Sequence, residues 1–192
     1  MGVQFGLFGG AISNLGNPEQ HAAWLPPTGS GELLGCFAMT EVGHGSNVAA
    51  VETTATYDIE TDEIVIHSPT VSATKTYIGN AAKDGKAAVV FAQLVVPQVG
   101  DVPDGEEESG EHGVHALFVR IRDDEGNPMP GVTIGDNGAK GGLPGVDNGT
   151  ISFDAVRVPR GNLLDRFGAV DLKVDDKPDL TPVFDADLAC ET

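Results

Sequence analysis

Seven short stretches of this 192-residue chain read as β-strands. They are LLGCFAMTE (33–41), VETTATYD (51–58), EIVIHS (63–68), KAAVVFAQLVV (86–96), VHALFVRI (114–121), GVTIGD (131–136) and GTISFDAVRV (149–158). A side-chain period of two sends alternate residues to opposite faces of a pleated strand, so each stretch brings a face that must be buried. Turn chemistry rich in Asp, Asn, Gly and Pro separates them, as in IETDE, DDEGNPMPG and VDNG. Twenty-six glycines and twelve prolines, with only 6% aromatic residues, suit tight turns better than long helices. The expectation is a mainly β protein, a barrel or sandwich, carrying a short helical N-terminal segment.

That segment is announced by NPEQHAAWLP, where Asn17, Pro18 and Glu19 stand as an N-cap, a first-turn proline and an early acid. PPTGSGE (26–32) reads as a turn-rich break before the strands begin. The division expected is helical over 1–30, a β-domain over 31–168, and an acidic, poorly ordered tail over 169–192.

Twenty-nine acids against eleven Lys and Arg give a formal charge of −18. Such a surface repels phosphate backbones, so nucleic acid is excluded as a partner. Part of the excess sits in DVPDGEEESGE (101–111) and in the tail from Asp165, and both read as solvated loops. No apolar run reaches the length of a membrane span, and Cys36 and Cys190 form neither a disulfide framework nor a metal motif. The histidines lack the i, i+4 spacing of a helical metal pair, so no metal is expected. The chain reads as a reduced, cytoplasmic protein.

Three stretches could carry chemistry. In CFAMTEVGHGSN (36–47), Thr40, Ser46 and Asn47 with glycines at 43 and 45 could let a backbone approach a planar or phosphorylated ligand, or could simply end a strand in a polar turn. In SPTVSATKTYIGNAA (68–82), Lys75, Tyr77, Gly79 and Asn80 cluster at an expected turn, where an aromatic beside a glycine offers a stacking face or a packed hairpin end. In the third, 142–164, Arg157 and Arg160 flank Pro159 and could hold an anion or close a strand.

The order and spacing of GCFAMTEVGHGSNV, ETTATYD, SPTVSATK, IGNA, HALFVRIRD, PGVTIGD, GVDNG and VRVPRGNLLDRF resemble the middle β-domain of the acyl-CoA oxidase and acyl-CoA dehydrogenase family, oxidase branch, over about residues 5 to 168. The opening FGLFGGAISNLGNPEQHAAWLP is similar to the last helices of that family's N-terminal domain.

The resemblance implies FAD as cofactor and a fatty acyl-CoA as substrate, desaturated at its α,β carbons as a step of fatty acid β-oxidation. It implies that Thr40 hydrogen-bonds the flavin ring, that Gly79 contacts FAD through its backbone, and that Tyr77 stands where many relatives carry a tryptophan against the flavin. His44, Gly45 and Ser46 fall on the substrate side. The family's base is a glutamate on a C-terminal helical bundle whose pattern does not follow here, so no catalytic residue is assigned, and Glu41 is not that base. A homo-oligomer or a helical partner subunit would complete the site. The alternatives are a non-catalytic relic or interaction β-domain, or one subunit of a split enzyme.

Overall fold

The computed structural model describes residues 2–97, 110–172 and 178–181. Its organising element is β5 (Ala87–Val95), whose sequence AAVVFAQLV offers no polar face and is buried on both. Ala88, Val90, Ala92 and Leu94 point into one apolar cluster, while Ala87, Val89 and Phe91 point into a second. Along one edge β5 pairs in parallel with β1 (Gly35–Ala38) and then β2 (Thr54–Asp58). Along the other it pairs antiparallel with β6 (Glu111–Arg120). β3 (Glu63–His67) and β9 (Val156–Pro159) extend this sheet beyond β2.

A second, antiparallel sheet joins β4 (Lys75–Gly79), β8 (Asn148–Phe153) and β7 (Val132–Asp136) in the order β4-β8-β7. Ile78, Val132, Ile151 and Phe153 from this sheet meet Ile64, Ile66, Leu94, Leu117 and Val119 from the first, giving a sandwich core. Ile64, Ile66, Leu94, Leu117 and Ile151 are fully buried, each worth about 1.5–3 kcal/mol of removed apolar surface. The mainly β fold expected from the alternation is therefore the one observed.

The helical segment covers the other face of β5 and β6. A π-helical stretch Gly2–Gly9 runs directly into α1 (Gly10–Leu15), and α2 (Pro18–Ser30) follows. Phe8, Ala11 and Ile12 pack on Val89, Phe91 and Phe118, and the Trp24 indole stacks on Phe118 at 4.1 Å and 7°. Buried Gln4 pins this layer to β1: its amide donates to Thr28 O and Leu33 O and its oxygen accepts from Gly35 N–H. Gly35 has to be a glycine here, because a Cβ would stand 2.1 Å from the Phe8 ring. The Asn17 cap forms as expected, in a capping box with Gln20, whose amide also reaches Leu163 O.

Four sequence expectations change. The turn-rich break at 26–32 begins only at Gly31 (φ 83), because α2 continues through Pro26 and Pro27. Both prolines lie in its last turns, where Thr28 Oγ1 takes the Trp24 carbonyl and Leu33 N–H takes that of Pro27. The stretch 149–158 is two strands rather than one: Ala155 adopts φ 50, and the chain crosses from the second sheet to the first. Lys75 and Tyr77 lie in a strand, not a turn. In the tail, β10 (Ala169–Leu172) pairs antiparallel with β11 (Pro178–Thr181), while most of the acidic run 101–111 and the rest of the tail lie outside the described residues.

Candidate functional site

The two sheets meet where the chain leaves β1. Thr76 N–H bonds Thr40 O at 2.9 Å, Val42 N–H bonds Thr74 O at 2.9 Å, and Glu41 faces Lys75 as an antiparallel bridge. This short ladder sets the 40–46 loop beside β4, across more than thirty positions of sequence.

At its centre Glu41 and Lys75 form an ion pair of 2.9 Å with both side chains fully buried. The Lys75 ammonium has three donors and three acceptors: Glu41 Oε1, Phe91 O at 2.6 Å and Met39 O at 3.3 Å. Burial pulls the Lys75 pKa down, and Glu41 opposes that shift. For Glu41, burial alone would push the pKa up. The bonds from Glu52 N–H, Thr53 and Lys75 outweigh it and hold the carboxyl below its ordinary value. With both oxygens engaged and no exposure, Glu41 is a structural anion and cannot reach a substrate proton.

Around this buried pair stand the residues singled out from the sequence. Thr40 is half-buried, and among the described residues no hydrogen bond occupies its hydroxyl. Tyr77 adopts φ 58 within an irregular stretch of β4 and turns a ring that is 70% exposed toward solvent. A bulky residue held in that region costs about 1–3 kcal/mol and persists only where the surroundings enforce it. Here Asn148 Nδ2 holds the Tyr77 carbonyl at 2.7 Å.

Gly79 stands two residues further along β4. A Cβ there would come within 2.8 Å of Val3 Cγ2, so its lack of a side chain is already required by the N-terminal helix. Gly45 and Ser46 are exposed, and a Cβ on Gly45 would meet nothing within 4 Å. His44 is held by reciprocal backbone bonds with Glu41 and by Nε2 to Glu52 Oε1 at 2.8 Å.

Fold and ladder thus bring Thr40, Tyr77 and His44 to one seam. Arg157 and Arg160 do not join them: Arg157 pairs with the Asp58 and Glu63 carboxylates, and Arg160 with that of Asp62. Glu52 is absent from the sequence reading, and so is the pairing of Lys75 with Glu41, since no spacing rule pairs a lysine with a glutamate 34 positions earlier. The seam is an open face. Surface clefts of about 410, 620, 540 and 340 Å³ are lined by other residues.

Residues 36–156 match the family model described as the acyl-CoA dehydrogenase middle domain. The chain is 50% identical over 169 residues to a mouse acyl-coenzyme A oxidase-like protein, covering 88% of this chain and 25% of that one. It is 48% identical over 171 residues to the Arabidopsis thaliana protein named acyl-coenzyme A oxidase 2, peroxisomal, covering 88% and 24%. Among solved structures, Caenorhabditis elegans acyl-CoA oxidase-1, complexed with FAD and ATP, superposes with a TM-score of 0.81 at 37% identity over 95% of this chain and 26% of that one. The chain therefore spans about a quarter of the length of these relatives.

The cytoplasmic expectation does not hold against this similarity, since the plant relative carries the peroxisome in its name. Peroxisomal addresses are short signals read by a receptor, and charge, hydropathy and cysteine count do not report them. The matched residues run from β1 through the start of β9 and contain Thr40, His44, Tyr77 and Gly79, so this chain belongs to the acyl-CoA dehydrogenase family and carries its middle domain.

Proposed function

We propose that this chain supplies the flavin-facing middle domain of a peroxisomal FAD-dependent acyl-CoA oxidase, with Thr40, Tyr77 and Gly79 on the cofactor side and His44, Gly45 and Ser46 on the substrate side. The observation that carries the reading is the Thr40–Thr76 backbone pair, which sets Thr40, its hydroxyl without a partner among the described residues, across from the residue preceding the exposed Tyr77 in its strained conformation. A flavin is a flat ring with polar edges, and a hydroxyl at its edge with an aromatic against it suits that shape. Gly79 fits less directly, because Val3 already occupies the space its missing side chain leaves.

When bound, FAD would supply the redox chemistry by accepting hydride. The protein's own part is orientation: the buried ion pair fixes Thr40 and Tyr77 relative to one another, and the loop fixes His44. Glu41, buried and fully bonded, is not placed to remove a proton, and the family resemblance puts that role on a helical segment. Proton removal then falls to a helical partner segment or second copy that covers the open face. Val42, Val71, Tyr77 and Leu143, all more than half exposed, favour such a cover.

The test is flavin binding by the purified chain. FAD fluorescence quenching that saturates near one equivalent is expected, and FAD that stays free at every protein concentration overturns the reading. A chain that binds FAD yet bleaches with octanoyl-CoA only after a helical partner is added would assign the base to that partner.

A further inference from the structure

His44 does not stand alone on the open face. Its Nε2 lies 2.8 Å from Glu52 Oε1, and the other Glu52 oxygen accepts from Thr70 Oγ1 at 2.5 Å and Ser72 Oγ at 2.9 Å. The two hydroxyls lie 2.8 Å apart, and the Glu52 backbone N–H is tied to the buried carboxylate of Glu41 at 2.7 Å. Gly43 N–H bonds Ser72 O, and a Cβ on Gly43 would stand 3.0 Å from that of Ser72, so a glycine there lets the loop close tightly on this cradle. A continuous chain of bonds thus runs from Lys75 in the core through Glu41 and Glu52 to an imidazole at the surface.

The hydrogen bonds from Thr70, Ser72 and His44 hold the Glu52 carboxyl below its ordinary range, so it is an ionised acceptor at neutral pH. An acceptor with no proton to give obliges the ring nitrogen facing it to carry one. Nε2 is therefore the protonated nitrogen of the neutral ring, and Nδ1 keeps a free lone pair. Among the described residues Nδ1 has no partner, and the side chain is 24% exposed.

We infer that Glu52 is a positioning residue: it locks His44 in the Nε2–H tautomer and presents Nδ1 as a hydrogen-bond acceptor to an N–H or O–H donor on the ligand. The inference rests on the proposal that the 44–46 loop faces an acyl-CoA, whose thiol-bearing arm carries amide N–H groups. Glu52→Gln separates this role from simple pinning of the loop. Glutamine keeps the size and still bonds Thr70, Ser72 and the ring, but its amide can donate as well as accept and so no longer dictates the tautomer.

The experiment records ¹⁵N spectra of the histidine rings in the full chain at alkaline pH, where imidazole rings are neutral, with His44→Asn identifying the His44 signals, and titrates octanoyl-CoA into the FAD-loaded chain. The expected result is a pure Nε2–H tautomer in the parent chain and a mixture in Glu52→Gln. Octanoyl-CoA is expected to move the Nδ1 resonance of the parent chain, and Glu52→Gln to weaken its binding about fivefold, the worth of one ordinary hydrogen bond, with FAD affinity unchanged. The Glu52→Ala variant, which removes the acceptor altogether, leaves the ring free to take either tautomer, gives the same mixing and covers the case of a misfolded Glu52→Gln.

A pure Nε2–H tautomer in both variants, or equal octanoyl-CoA affinity in all three proteins, overturns the inference. A parent chain with the expected tautomer that binds FAD but no octanoyl-CoA overturns the substrate side of the reading and the ligand half of the inference. Failure to bind FAD at all strikes the proposed function separately, because the ring tautomer is read without any ligand.

Discussion

Glu41 and Lys75, 34 positions apart, meet at 2.9 Å with both side chains shut off from solvent, and the two sheets of the domain are joined at that point. Taking two charges out of water costs several kcal/mol per ion, and their attraction offsets this only when every remaining hydrogen-bonding position is filled. Here they are filled, by Thr53 and Glu52 N–H on one side and by the Met39 and Phe91 carbonyls on the other.

Removing one partner leaves a lone buried charge. Lys75→Met is expected to destabilise the chain by about 3–5 kcal/mol, and the double variant Glu41→Leu, Lys75→Met by clearly less than the sum of the two single losses. Urea unfolding of the four proteins checks this, and additive losses would show that the pair is not coupled.

The same carboxylate makes stability fall in acid. Its pKa is below the ordinary glutamate value of 4.5 in the folded chain, because the bonds from Glu52 N–H, Thr53 and Lys75 outweigh burial. The unfolded chain therefore takes up the proton first. The stabilisation is complete above the ordinary value and is lost as pH falls through the folded one. Urea midpoints measured from pH 7 down to pH 3 should decline more steeply for the parent chain than for Glu41→Gln, and equal slopes would refute the assignment.

Thr40→Ala is expected to leave folding stability unchanged, since no group among the described residues uses the hydroxyl, while weakening FAD binding by about 1 kcal/mol, roughly fivefold. Fluorescence titration with FAD and thermal unfolding of the same sample separate the two effects. Equal FAD affinity in parent and variant would remove Thr40 from the cofactor face.

Gly79→Ala pushes a methyl toward Val3 Cγ2, 2.8 Å away, and overpacking of this kind costs about 1–3 kcal/mol. Adding Val3→Ala should restore most of the loss. If the rescue recovers stability but FAD still binds poorly, Gly79 has a second role at the cofactor. If FAD binding returns with stability, the glycine serves the helix contact alone.

Much of the architecture is local and could be read in advance. The alternation in 51–58 and 63–68, the mostly apolar run of 86–96 and the Asn17 cap each depend on neighbours within a few positions, and β2, β3, β5 and the capped helix each lie within the stretch that announces them. Strand β4 did not declare itself. A lysine beside threonines looks like a turn until Glu41 neutralises it from across the sandwich. Nor did the division of 149–158, which depends on Ala155 taking a positive φ so that β9 can reach β3.

The candidate site divides in the same way. Thr40, His44, Tyr77 and Gly79 were named from motif order, but nothing in that order revealed Glu52 behind His44, the buried pair beneath Thr40, or Val3 against Gly79. The sequence by itself determined most of the strands of the first sheet and the helix cap, because side-chain period and turn chemistry act over short range, and the order of its motifs carried the family resemblance. Only the tertiary structure decided which polar residues are buried and satisfied and which remain free for a ligand, because a charge or hydroxyl can be buried only where the fold delivers its partner.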